Sequence, residues 1–332
     1  MSINVFIASC ILQFLLGAIH ASGVISRTTG LSSWVAPVRM FSIYVISIFI
    51  YRMRFFATAR TELIAAAALF SLADLACYSL IEFDFPGADV VYSVVGGIGG
   101  GLGLAAVGRL TASVFQGKKA KTLRRANFLI FPIFIYCLGG FAFSQIFEKF
   151  PGHSTLAVSG ALTLAIFLLI AFFLLPSSFA VTTVPEPGNL NPSAELPGLT
   201  VIAVAAHCAV FFAQTKQPAY ALLLNGFGRY LAGIFSEFFG FRLAAGIAGA
   251  ALAASAASEN SEMIAVCLGA CVVLVGRCPQ SQVASVVYGF SFAMATFITS
   301  PWLSLFADAS RSLHIFGALI MAASATAYIR RK

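Results

Sequence analysis

The chain contains very little charge for its length. Of its 332 residues only 10% are Asp, Glu, Lys or Arg, whereas 60% are hydrophobic. A soluble domain carries roughly 25% charged residues, so this chain has too few to cover a surface that faces water. The composition therefore excludes a water-soluble globular protein.

The sequence also lacks the motifs of several enzyme and ATPase classes. It contains no HExxH, no GxSxG, no Walker A loop and no paired-aspartate motif for a prenyl diphosphate. Its four histidines are isolated and its seven cysteines form no CxxC, so neither a metal site nor a disulfide framework is predicted. We expect no cofactor and no enzymatic activity. Without a nucleotide site, any uphill transport must use an ion gradient.

Apolar stretches of about 20 residues recur along the chain, which is the length needed to cross a hydrocarbon core of about 30 Å. Lipid offers the backbone no hydrogen-bond partner, so segments of this length must be helices. The first stretch lacks a basic n-region and a cleavage site, and we interpret it as a retained helix. We predict an all-α polytopic membrane protein with about twelve spans: 3–25, 31–52, 61–82, 88–115, 126–147, 154–176, 198–214, 217–238, 242–257, 261–277, 281–303 and 310–329. The stretch 198–257 also fits two long helices instead of three shorter ones.

The basic residues predict that both termini are cytoplasmic. With the N-terminus inside, thirteen Lys and Arg residues fall in the inside loops and the C-terminal tail, and four fall in the outside loops. This bias agrees with the positive-inside rule for a cytoplasmic (inner) membrane. The net charge of +8 is explained by these loops, so nucleic acid is not a predicted partner.

A proline-rich loop divides the chain near its midpoint. Residues 176–198 carry five prolines, two glutamates and no Lys or Arg, a composition that resists both helix and core formation. It predicts an N-terminal six-helix bundle over 1–176, a cytoplasmic linker over 177–197 and a C-terminal six-helix bundle over 198–332. An ordinary long loop is the alternative.

The loop between predicted spans eight and nine reads GIFSEFFGFR. Its first residue, Gly233, allows two helices to approach closely. Glu237 follows at a cytoplasmic helix end, where it can pair with a cation or cap a neighbouring helix N-terminus. Gly240 supplies a tight turn, and Arg242 anchors the next span. These four residues form a candidate gating latch.

This order of glycine, acid, glycine and base resembles the loop signature of the major facilitator superfamily (MFS). The glycine-rich stretch 94–110, Gly139-Gly140 in the next span and the six-plus-six layout are also similar to that family. The corresponding loop of the first half, YRMRFFATARTE, keeps its arginines but lacks the glycine–acid–glycine frame. The resemblance implies two six-helix bundles around a central cavity and transport by alternating access.

Two charged residues are predicted at similar depth in neighbouring spans. Arg39 lies about eight residues from the outer end of span two, and Asp74 lies about eight residues from the outer end of span three. An ionisable side chain at bilayer depth costs at least about 2.5 kcal/mol on insertion scales. We therefore expect an Arg39–Asp74 ion pair. It is either a proton-coupling site that opens when the carboxylate is protonated, or a permanent structural salt bridge.

Polar residues also occur in the first span of each half. Gln13 and His20 in span one are seven residues apart, as are His207 and Gln214 in span seven, so each pair shares one helical face. In the resembled family these helices line the cavity. The resemblance therefore implies that these four residues are candidate substrate contacts or proton carriers, with His20 and His207 as the proton-coupling candidates. The alternative is that they form hydrogen bonds with neighbouring helices.

Two arginines complete the set of candidate cavity residues. Arg109, at the inner end of span four, either binds an anion or extends towards the lipid headgroups. Arg229, in span eight, either pairs with Glu237 or lines the cavity. These cations favour an organic anion as the substrate. We predict a secondary active transporter, coupled to protons, whose partners are the lipid bilayer and a small molecule. The alternative is a non-transporting membrane subunit or scaffold that binds a protein partner.

Overall fold

The computed structural model describes residues 3–19, 21–32, 34–36, 38–39, 42–43, 46, 56, 58–113, 123–175, 220–258, 260–276 and 318. Within these ranges, the side chains of Arg109 and Arg242 are outside the description. The predicted spans 198–214, 281–303 and 310–329, and much of 31–52, likewise lie outside the described residues or are described only in part.

The chain divides into two compact units, one formed by Met1–Lys118 with Ile135–Val184 and the other by Lys119–Phe134 with Pro185–Lys332. The predicted boundaries at 176 and 198 stay a prediction, because the linker lies outside the described residues. The described helices are α1 (Ile3–Leu16), α2 (Ser22–Thr28), α3 (Ala59–Glu82), α4 (Gly96–Ser113), α5 (Leu123–Lys149), α6 (His153–Leu169), α7 (Ala221–Phe239), α8 (Phe241–Ala257) and α9 (Ser261–Gly276).

Three irregular segments adjoin these helices. A 3-10 turn, Gly17–Ile19, follows α1, and π-helical stretches over Val91–Val95 and Ile170–Leu174 precede α4 and follow α6. The predicted first span, 3–25, is therefore not one continuous helix. The break occurs where Gly17 packs against the backbone of α5: a Cβ on Gly17 would lie 2.7 Å from the carbonyl carbon of Gly139.

Four helical segments in the described part of the chain are long and apolar enough to cross a membrane: Arg60–Glu82, Ala88–Gly108, Phe131–Lys149 and His153–Leu174. Their outer faces carry large apolar side chains, such as Leu72, Val158 and Leu162, which are 50%, 64% and 59% exposed. Charged residues such as Arg39 and Asp74 are buried instead. This distribution is the one that lipid requires, since polar side chains must find partners inside the protein.

Glycines bring the helices of each unit into backbone contact. In the first unit, α4 packs on α3 so closely that a Cβ on Gly99 would lie 2.6 Å from the Cα of Phe70. In the second unit, α7 and α9 approach each other in the same way at Gly228 and Gly269. Small residues at helix interfaces allow this approach, which supplies packing where no hydrophobic effect drives association.

Polar contacts join α3 and α6 at both ends. At one end Arg60 Nη2 donates to the carbonyl oxygens of Phe172, at 3.2 Å, and Leu175, at 2.7 Å. These carbonyl groups lie in and directly after the π-helical stretch that follows α6, where carbonyl oxygens without an intrahelical partner attract a cation. At the other end His153 Nε2 lies 2.6 Å from Glu82 Oε2. These contacts fix the register of α3, the helix that carries Asp74, against α6.

We expect Gly99→Ala to destabilise the protein, because the added methyl group meets the backbone of α3. Overpacking of this kind typically costs about 1–3 kcal/mol. Gly103→Ala is the matched control on the same helix: its Cβ would meet only the flexible end of Leu16, 2.8 Å from Cδ2. Melting temperatures in detergent measure both. Equal losses for the two variants would contradict the backbone contact at Gly99.

Candidate functional site

An ion pair lies in the interior of the first unit. Arg39 Nη1 donates to Asp74 Oδ1 at 3.2 Å, and the two residues are only 1% and 6% exposed. Arg39 is helical, as is its described neighbour Val38, and Asp74 lies on α3. The structure thus brings together the two residues that the sequence places at similar depth.

The Arg39 guanidinium also lies over two aromatic rings. Its Cζ atom is 3.8 Å from the centroid of the Tyr92 ring and 4.9 Å from that of Phe70. Both rings are almost fully buried. A cation within about 6 Å of a ring centroid is attracted by the ring quadrupole, most strongly where water is excluded. The cation is therefore held by one carboxylate and two ring faces.

The glycine-rich start of α4 makes room for this cation. Gly96 follows Tyr92 by four residues, and a Cβ on Gly96 would lie 3.2 Å from Arg39 Cζ and 3.4 Å from Ala73 Cβ. A larger residue there would press on the guanidinium. Tyr92 itself lies in the π-helical stretch Val91–Val95, a backbone irregularity that often occurs at functional sites.

Helix α6, in the same unit, packs closely against the Cβ atom of Asp74. On α6, a Cβ on Gly160 would lie 3.1 Å from Asp74 Cβ and 3.0 Å from the carbonyl oxygen of Ser71. Asp74 is therefore fixed between α6 on one side and Arg39 on the other. Any shift of α3 relative to its neighbours changes the distance between carboxylate and guanidinium.

Contacts towards the outer end of the predicted spans fix the helix that carries Tyr92. The Ser32 backbone N–H donates to Asp89 Oδ1 at 3.2 Å, and the Ser32 hydroxyl donates to Asp89 Oδ2. The Ser93 hydroxyl donates to the carbonyl oxygen of Asp89 at 2.6 Å. The backbone that carries the Tyr92 ring is thus held in place by Asp89.

The predicted latch lies at the junction of α7 and α8. Gly240 has φ of 87° and separates the two helices, and its N–H donates to the Ser236 carbonyl oxygen at 3.0 Å. The Ser236 hydroxyl donates to the carbonyl oxygen of Gly233 at 2.8 Å. Glu237 is half-buried in the last turn of α7. A role for these residues in gating stays a prediction.

The remaining predicted site residues are placed only in part. Arg229 is buried on α7, where its Nε donates to Asn225 Oδ1 at 2.8 Å. Gln13 is half-buried on α1, and the Arg109 backbone belongs to α4. His20, His207 and Gln214 lie outside the described residues. Roles for these residues in substrate binding or proton coupling stay predictions.

Sequence reasoning missed the neighbours of the ion pair. Tyr92 and Phe70 have no polar signal of their own, since aromatic residues are common throughout this chain. The one sequence feature that could have indicated this contact is the four-residue spacing of Tyr92 and Gly96, which places an aromatic ring and a residue without a side chain one helical turn apart. Glu62 was also missed, although it is a carboxylate within predicted span three and is buried in the structure.

We expect Asp74→Leu alone to destabilise the protein strongly, because it leaves the buried Arg39 charge without its counter-ion. Breaking a buried pair from one side typically costs about 3–5 kcal/mol, whereas replacing both partners with apolar residues is often neutral. The double variant Arg39→Met, Asp74→Leu should therefore recover most of the lost melting temperature in detergent. A double variant no more stable than the single one would contradict a direct ion pair.

No protein-family model matches the chain, and no curated protein matches it by sequence. Its structure is similar to solved transporters. A variant of the Escherichia coli fucose:proton symporter FucP matches with a TM-score of 0.63 and 14% identity, covering 97% of this chain and 98% of that one. A second FucP structure, described as an MFS transporter in the outward conformation, gives a TM-score of 0.59 at 14% identity, covering 97% and 98%.

A variant of the nucleoside transporter NupG matches with a TM-score of 0.59 and 11% identity, covering 98% of both chains. At such low identities the likeness establishes the fold and not the substrate. The resemblance to the MFS that the sequence indicated is thereby confirmed at the level of the fold. This chain is an integral membrane protein with the all-α fold of major facilitator superfamily transporters.

Proposed function

We propose that this protein is a proton-coupled secondary active transporter in which Asp74 takes up and releases the coupling proton. The observation that carries the proposal is the buried Arg39–Asp74 pair, a carboxylate held by one donated hydrogen bond inside a transporter fold. Ionisable residues within membrane helices mark ion and proton pathways. The transporter fold also favours this function over an enzymatic one.

Protonation of Asp74 supplies the conformational switch in this proposal. The carboxylate accepts a proton, and its attraction to Arg39 is replaced by a contact between a cation and a neutral acid. The pair is then free to separate, which biases the helices that carry it towards a second arrangement. Release of the proton on the other side restores the pair. Transport of a second solute by alternating access follows from this cycle.

The transported solute in this proposal is a small polar molecule. The solved neighbours are a fucose:proton symporter and a nucleoside transporter, both of which carry small polar solutes. The expectation of an organic anion depended on Arg109, Arg229, His20 and His207. Of these, only the Arg229 side chain is described, and its Nε donates to an amide oxygen. An organic anion is therefore included among the solutes to be tested.

The same proposal places the protein in the cytoplasmic membrane with both termini inside. The excess of basic residues in the predicted inside loops supports this orientation. The candidate latch of Gly233, Glu237, Gly240 and Arg242 would then also face the cytoplasm.

The first test is a search for the solute with the purified protein. L-fucose, uridine and succinate represent neutral sugars, nucleosides and organic anions. A solute that binds only the folded state raises the melting temperature in a dose-dependent way. Each is then tested for accumulation in proteoliposomes under an imposed proton gradient. Absence of gradient-driven accumulation for every solute in a broadened panel would count against transport and favour a scaffold.

We expect Asp74→Asn to abolish proton-driven accumulation of the solute while solute exchange at equal concentrations continues, because the amide cannot carry the proton. The matched control is Asp84→Asn, which removes the same charge from an exposed turn whose φ of 53° suits asparagine. It should retain both activities. If Asp74→Asn accumulates the solute as the parent protein does, Asp74 is not the coupling residue.

A further inference from the structure

We propose that the Tyr92 ring, assisted by Phe70, holds the Arg39 guanidinium while Asp74 is protonated. Tyr92 is then a positioning residue of the coupling reaction, because it acts through Arg39 and does not itself carry the proton. This inference rests on the proposed function of Asp74. It adds a residue that keeps the positive charge in place during the half of the cycle in which its counter-ion is neutral.

The hydrogen bond between Arg39 and Asp74 is longer than most bonds between charged groups. It is monodentate, and its length of 3.2 Å exceeds the roughly 2.7–2.9 Å typical of charge-assisted hydrogen bonds. Among the described residues, Arg39 Nε has no hydrogen-bond partner. A pair with this geometry can open without breaking a bidentate fork. The Tyr92 ring offers a second contact, with Arg39 Cζ 3.8 Å from its centroid and well inside the limit of about 6 Å for cation–π attraction.

When Asp74 is neutral, the buried positive charge of Arg39 loses the carboxylate that pairs with it. The guanidinium is 1% exposed, so water cannot solvate it. It also cannot lose its proton, since arginine stays charged in proteins. A buried charge without a counter-ion is strongly destabilising unless another group compensates it. Cation–π attraction gains strength in a desolvated site and does not depend on the protonation state of the carboxyl group.

The backbone keeps the ring in position during this step. Tyr92 lies in the π-helical stretch before α4. Asp89, three residues before Tyr92, binds Ser32 and so holds the start of this helix. Gly96 leaves space next to the guanidinium. The ring is therefore anchored independently of Asp74, and the guanidinium can settle on it without displacing a side chain.

A double-mutant cycle tests this role without any solute. Tyr92→Leu is introduced into the parent protein and into Asp74→Asn, a stand-in for the protonated acid, and melting temperatures are measured in detergent. The loss caused by Tyr92→Leu should be about twice as large in the Asp74→Asn background, where the ring is the main partner of the cation. Tyr92→Phe, which keeps the ring, should cost little in either background.

A third background separates positioning from packing. In Arg39→Met, Asp74→Asn the cation is gone, so Tyr92→Leu should cost no more than it does in the parent. If only the Asp74→Asn, Tyr92→Leu protein fails to fold, that failure is the excess loss that the proposal expects. Equal losses in all three backgrounds would overturn it, because the ring would then contribute packing alone.

The double-mutant cycle tests the role of Tyr92, whereas the transport assay tests the function of Asp74, so either can give a negative result without the other. Equal losses together with a loss of proton-driven accumulation in Asp74→Asn would overturn only the role of Tyr92. Excess loss together with unchanged accumulation in Asp74→Asn would overturn the proposed function of Asp74 and, with it, the place of Tyr92 in coupling. Both results as expected would support a cation held by its ring while the proton moves.

Discussion

The absence of water from the membrane interior is the constraint on which the rest of this structure depends. A charged side chain there must find its partner inside the protein. Arg39 meets this requirement with the Asp74 carboxylate and with the faces of Tyr92 and Phe70. The pair is therefore more than a local contact. It determines which faces of its helices must point inwards, and it leaves the large apolar side chains to face lipid.

Close helix packing is what allows such a small site to form. Gly96 and Gly99 let the start of α4 approach the guanidinium and the backbone of α3, and Gly160 lets α6 approach Asp74 from behind. Lipid provides no hydrophobic driving force between helices, so contact area and hydrogen bonds must supply their association. The same glycines allow neighbouring helices to pack closely around the ion pair, so little free space remains there. In the proposed mechanism, a change in the charge of the pair changes the spacing of these helices, as alternating access requires.

Much of the fold could be predicted from the sequence, because segment length, hydropathy and basic loops report directly on the bilayer. Helices α3, α8 and α9 begin and end within two residues of the predicted spans 61–82, 242–257 and 261–277. The proximity of Arg39 and Asp74 followed from their equal depth in consecutive spans. The break after α1 could not be predicted, since it occurs where the chain contacts α5, a helix far along the sequence. The two rings could not be singled out, because the chain contains 33 phenylalanines and nine tyrosines and an aromatic residue alone does not mark a site.

The central claim is that Asp74 changes its protonation state inside the folded protein. Infrared difference spectroscopy between neutral and acidic pH tests this most directly, because a carboxylic acid in a membrane interior has a C=O stretching band separate from the amide bands. The account predicts a band that appears on acidification of the parent protein and is absent from Asp74→Asn. A spectrum with no band that depends on Asp74 would contradict it, and would make the Arg39–Asp74 pair a permanent structural salt bridge.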